Sequence, residues 1–186
     1  MRVISFSRYF PVKHSRKGES TYFPEAILTS LGIDYTSHDY YMKLCEWNPN
    51  VRERLLEDFF NNLSVDIEPK VHTIRKGFRW DVGDMFSPRV WSGKPYSSKQ
   101  IQFAPAIKVR NVWKVDISFS MSQIMVGVPV KKNEWYLLSA GDVARNDGLD
   151  VHDFIEWFKN HNSKTDAFRG QIIAWSEKVN YNKNEK

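Results

Sequence analysis

The sequence predicts an α+β fold: a small mixed β-barrel with flanking helices over its openings and a helical embellishment near the N-terminus. Three observations predict it. From Lys70 onward the apolar residues recur with a period of two, the alternation of half-buried strands. Helical patterning before that point is confined to about residues 22–64. One late helical stretch, opening near Asp150, stands before a final strand. The chain has 186 residues, 41% hydrophobic and 26% charged. That suits one domain over residues 1–180, able to bury about two thirds of its unfolded surface without disulfide or metal staples.

The elements follow in order. Arg2 to Phe10 carries β-formers and reads as a strand, and His14 to Ser20 as a polar, basic loop. Pro24 to Leu31 is a short helix, with proline in the first turn and Gly32 as its stop. A second helix runs from Asn48-Pro49 to about Asn62, with Leu55, Leu56, Phe59 and Phe60 on one face. His72 to Arg79 is a strand, and Gly83-Asp84 and Gly93-Lys94-Pro95 are turns. Trp113, Val115, Ile117 and Phe119 alternate with Lys114, Asp116 and Ser118, a half-buried strand. Ile124–Val130 and Trp135–Leu138 are further strands. Asp150 caps a helix that turns Val151, Phe154, Ile155 and Phe158 inward, Phe168 to Trp175 closes the sheet, and residues 181–186 form a frayed polar tail.

Several classes are excluded. The single cysteine, Cys45, permits neither an intramolecular disulfide nor a cysteine zinc site, and points to a cytoplasmic protein. No apolar run approaches the ~18 residues of a membrane helix, and Arg8 interrupts the stretch a secretion signal would need. The histidines show no ligand spacing, so no metal and no cofactor is expected.

The charge is unevenly placed. The net charge is +5, but residues 69–114 hold ten Lys or Arg against two acids, an excess of +8 that leaves −3 for the remainder. Aromatic residues interleave those cations: Phe78, Trp80, Trp91, Tyr96 and Phe103. Positive charge beside flat rings is the chemistry of a nucleic-acid or nucleotide site. Within it, Arg89-Val90-Trp91-Ser92-Gly93-Lys94-Pro95-Tyr96-Ser97-Ser98-Lys99 predicts a lip, with Lys94 or Lys99 on phosphate and Trp91 or Tyr96 stacking on a base. Arg75 and Arg79 extend the candidate set, Arg75 being forked and permanently charged.

The string Lys70-Val71-His72-Thr73-Ile74-Arg75, then Arg79-Trp80, Gly83-Asp84 and much later Asn146-Asp147-Gly148-Leu149 running into a helix, resembles the ASCH domain, a PUA-like β-barrel. The resemblance covers about residues 66–178. It implies binding of RNA or a nucleotide in a cleft beside the barrel. Some small members look like amidohydrolases that remove an acyl group from N4-acylated cytidine. By the same resemblance the catalytic set would be Lys70, Thr73 and Asp147, with Asp147 one methylene shorter than the family's Glu.

In that chemistry Thr73 would be the nucleophile, Lys70 the base if its charge is suppressed by burial or neighbouring cations, and Asp147 the orienting acid. Thr73 and Arg75 share a strand face, whereas His72 points away and Lys70 precedes the strand. The leading expectation is RNA or nucleotide binding. The alternatives are hydrolysis of a modified nucleoside, and a protein-interaction module with a flat apolar patch over residues 51–63 of the N-terminal helices.

Overall fold

The period-two segments do form strands, but they do not close into one barrel. The structure, a computed structural model, describes residues 1–119, 124–131, 134–161 and 167–182. In chain order its elements are β1 (Arg2–Ser5), α1 (Phe23–Ser30), α2 (His38–Trp47), α3 (Glu53–Asn61), β2 (His72–Lys76), β3 (Met85–Trp91), β4 (Gln100–Gln102), β5 (Ile107–Lys108), β6 (Asn111–Phe119), β7 (Ile124–Lys131), β8 (Glu134–Leu138), α4 (Ala140–Asn146), α5 (Val151–His161) and β9 (Ala167–Ala174). The strands belong to two sheets, so the fold is mixed α+β with two open sheets among the described residues, and the expected barrel is corrected. Alternation identifies a strand but not its partner: β3 pairs in parallel with β1, a long-range pairing invisible to local periodicity.

The chain divides into two compact units. The first comprises Met1–Phe10, Gly18–Lys70 and Met85–Lys108. Its four-stranded sheet has the order β1-β3-β4, with β5 also paired to β3. The three early helices share this unit. Helix α1 starts with proline in its first turn and ends before Gly32 at φ 66°. Helix α2 was not legible as a helix, yet it has a sound start: Ser37 Oγ accepts from Tyr40 N at 3.2 Å. Phe103 gathers the core, edge-on to Phe6 at 6.0 Å and tilted against Phe59 at 6.5 Å, while the Tyr40 hydroxyl donates to its carbonyl at 2.8 Å.

The second unit comprises Pro11–Lys17, Val71–Asp84 and Val109–Lys186. Its sheet is antiparallel with the order β2-β9-β6-β7-β8. One face, carrying Val115, Ile117, Phe168 and Ile172, is buried, and Phe158 stands edge-on to Phe168 at 4.9 Å and tilted against Phe154 at 4.8 Å. Asp150 caps α5 as expected, its carboxylate accepting from Asp153 N at 2.8 Å. Val151 does not turn inward: it is exposed at the first turn. The loop before Gly18 is fixed on α5 by Ser15, whose N–H and hydroxyl both donate to Glu156.

Candidate nucleic-acid interface

The tip joining β3 to β4 is built by its own hydrogen bonds. Ser92 N donates to Lys99 O at 2.9 Å and closes the hairpin neck. Beyond it the Lys94 carbonyl accepts from Ser97 N, Ser98 N and Ser98 Oγ at 3.0–3.2 Å. The Ser97 bond makes Lys94-Pro95-Tyr96-Ser97 a tight turn with proline at its second position, where the fixed φ suits it. Where the third position of such a turn takes a positive φ, as in type II, glycine or asparagine usually supplies it. Here it is Tyr96, at φ 64°. A bulky residue held left-handed is strained by about 1–2 kcal/mol. Its side chain gains no burial in return, being 91% exposed. Its ring lies 5.4 Å from Trp91, tilted by 51°, and Trp91 is half-buried.

Lys94 and Lys99 are both exposed on this tip. Arg89 is half-buried on β3 and donates from Nε to Ser87 Oγ at 3.1 Å, which fixes its stem. The lip residues Arg89, Trp91, Lys94, Tyr96 and Lys99 therefore lie in one hairpin of the first unit, with two rings in contact and two exposed ammonium groups beside them. The +8 stretch is divided between the two units. Lys70, Arg89, Lys94, Lys99 and Lys108 belong to the first unit and Arg75, Lys76, Arg79, Arg110 and Lys114 to the second. Arg79 is exposed, Arg110 faces Glu177 at 3.6 Å, and Lys114 lies 5.8 Å over the exposed Phe78 ring.

The Lys-x-x-Thr-x-Arg string is divided. Lys70 ends the first unit and is almost wholly buried, with Nζ 4.4 Å from the Phe23 ring centre and its own N–H donated to Ala26 O at 3.0 Å. Thr73 lies in the second unit on β2, buried, opposite Ile173 in the ladder. Arg75, two residues on, is opposite Gln171. The Gln171 amide clasps the Trp80 backbone, accepting from its N at 3.0 Å and donating to its O at 2.8 Å.

Asp147 is not at the opening of a helix but at the close of one. It is the C-cap of α4, with Gly148 at φ 73° donating to Arg145 O and Leu149 N donating to Ala144 O, the two bonds of a Schellman cap. A carboxylate there faces the negative end of the helix dipole and is also buried, two unfavourable placements. Its electrostatic counterpart is Arg75. Burial pulls the Arg75 guanidinium below its usual value and the Asp147 charge pulls it back up.

Sequence reasoning missed the polar residues around them. His72 is fully buried and its Nε2 donates to Val143 O at 3.1 Å, which places the proton on that nitrogen. Tyr181, which the sequence reading placed in the frayed tail, is buried edge-on to Trp113 at 5.1 Å and to His72 at 5.7 Å. Asn146 donates to its hydroxyl at 2.7 Å. Burial pushes its pKa up to about 12, with the Asp147 charge in the same direction and the Asn146 bond opposing. Asn182 accepts from the Trp113 indole at 2.9 Å, so the chain is anchored through that residue; residues 183–186 of the expected tail lie outside the described residues. An aromatic in a polar terminus was the signal available.

The expected apolar patch on residues 51–63 is spent on packing: Leu56 and Phe59 are buried, and Phe60 stacks on Tyr40 at 6.1 Å and meets Tyr41 at 5.3 Å. Among the described residues no group of three His, Cys, Asp or Glu side chains is placed to hold a metal ion, and no helix is long and apolar enough to cross a membrane. The fold and the hairpin define an α+β protein with an exposed cationic, aromatic tip. No protein-family model, no curated protein and no solved structure matches the chain.

Proposed function

We propose that the chain is an ASCH-like, PUA-related RNA- or nucleotide-binding module that holds single-stranded RNA on the β3–β4 hairpin tip. The observation that carries the reading is Tyr96: a tyrosine in strained left-handed backbone, almost fully exposed, beside Trp91 and between two exposed lysines. Strain that serves no packing marks a functional position. Two rings at that spacing offer faces for bases, a contact worth about 1–3 kcal/mol per base, and Lys94, Lys99 and Arg89 supply charge to the phosphates.

The amidohydrolase reading draws less support. Thr73 sits in a strand ladder, Lys70 rests on a phenylalanine ring, and the Asp147 charge is engaged by Arg75. The test sets the two readings apart. Fluorescence anisotropy with a labelled single-stranded RNA at low salt should show saturable binding that is lost in Tyr96→Ala. Incubation with N4-acetylcytidine should leave the nucleoside intact by mass spectrometry. Absence of RNA binding together with deacetylation would overturn the proposal in favour of the enzyme.

A further inference from the structure

The sheet of the second unit ends at β8, beyond which no described strand pairs. Natural edge strands are guarded by lysine, proline or inward charges. Glu134-Trp135-Tyr136-Leu137-Leu138 has none of the first two, and its one charge stands at the end. Its side chains are nevertheless open: Trp135 is 47%, Tyr136 38% and Leu137 62% exposed. The register Pro129↔Trp135 and Gly127↔Leu137 puts Trp135 and Leu137 on one sheet face, with the half-exposed Met125 two residues along β7 from Gly127. Trp135 packs against Gly127, where a Cβ would come 3.1 Å from its ring. The glycine thus seats the tryptophan without hiding it.

We propose that β8 is a self-pairing edge: two copies of this chain join β8 to β8, antiparallel about a two-fold axis at Tyr136, into one continuous ten-stranded sheet. The strand's own sequence is complementary to itself about that axis, which selects a second copy as occupant. About Tyr136, Trp135 meets Leu137 of the other copy on one face, Tyr136 meets its own counterpart on the other, and Glu134 meets Leu138. Aromatic–aliphatic and aromatic pairs are favourable across strands, and no like charges stand opposite. The arrangement is isologous and closes at two copies, because the opposite edge, β2, ends in Arg75-Lys76 and is unsuited to repeating the contact. Five residues form a small interface, so association is weak and concentration-dependent.

Sedimentation equilibrium over about 10 μM to about 1 mM tests it. The expected result is a rise from 21.9 kDa toward twice that mass. Leu137→Lys should hold the chain at 21.9 kDa with an unchanged thermal midpoint, since the residue is exposed. Register is read separately. In a Cys45→Ser background, Tyr136→Cys should cross-link to a disulfide dimer under mild oxidant at least tenfold faster than Glu134→Cys, because only the axial residue faces itself. A monomer at every concentration overturns the proposal, as does a dimer indifferent to Leu137→Lys or equal cross-linking by the two cysteines. A β8 protected from amide exchange only when RNA is added would make the edge a nucleic-acid contact and also overturn it.

Discussion

Tyr96 occupies a backbone conformation that glycine would occupy with less strain, and the difference can be measured. Replacing it by glycine removes about 1–2 kcal/mol of left-handed strain but returns about 0.5–1 kcal/mol of unfolded-state entropy. Tyr96→Gly should therefore raise the stability by up to about 1 kcal/mol, about 2–4 °C in thermal midpoint for a chain of this size, while RNA binding falls. A variant that is both less stable and fully competent to bind would contradict the role given to this residue. Glu25 gives a second residue-scale expectation. It is buried in the first turn of α1, accepting from Ser64 N at 3.4 Å. Burial raises its proton affinity, against its own and Ser64's backbone hydrogen bonds and the Arg8 charge. A carboxyl raised in the folded state binds more protons folded than unfolded, so its contribution falls as pH rises through that raised value. Glu25→Gln should stabilise the protein at pH 7–8, and its advantage should shrink toward and below the usual carboxylate range near pH 4. Urea denaturation at several pH values measures both ends.

At the scale of elements, local chemistry was legible where a residue acts on its neighbours. Pro24, Gly32 and Asp150 marked helix ends that the structure keeps. The alternation over Trp113–Phe119 gave a strand whose Trp113, Val115 and Ile117 are buried. What escaped was set by tertiary partners. Helix α2 has a mean pattern too polar to stand out, and Tyr40 and Leu44 bury only because the rest of its unit supplies a floor. The resemblance to the ASCH domain puts the Asp147-Gly148 pair at the opening of a helix. The pair closes one, since the glycine is needed at positive φ and Arg75 offsets the misplaced charge. Asp147→Asn should therefore leave the half-buried Arg75 without that charge and lower the stability measured by urea denaturation, with the m-value unchanged. A stability equal to the parent would show that this charge does not matter to the fold. Strand β9 makes a sharper demand: a Cβ on Gly170 would come within 2.1 Å of the Arg75 carbonyl oxygen, an atom of the backbone that no rotamer can move. Gly170→Ala should cost at least about 3 kcal/mol, the upper end of ordinary overpacking, and a soluble variant with parental thermal midpoint would contradict that close approach.

At the scale of the whole molecule, composition announced an aromatic-rich, unevenly charged α+β protein, and the strands and final helix followed. The barrel did not, because alternation carries no information about which strands meet: β3 goes to β1, more than eighty residues earlier. The same limit applies to the candidate site. The +8 excess is real in sequence, but its cations are shared between two units, and only the β3–β4 hairpin collects rings and exposed lysines in one short segment. The central claim is that this tip holds single-stranded RNA by charge and by stacking as two separable terms. Anisotropy titrations of a labelled single-stranded RNA across a series of salt concentrations test it most directly. Each phosphate contact on a single strand contributes a slope of about −0.7, so Arg89, Lys94 and Lys99 together should contribute about −2. Lys94→Ala should flatten the slope by about 0.7 and weaken binding to every sequence alike. Trp91→Ala should cost about 1–3 kcal/mol with the slope unchanged, because stacking is not screened as charge is. Parental affinity in Trp91→Ala, or a slope unmoved by Lys94→Ala, would contradict the claim.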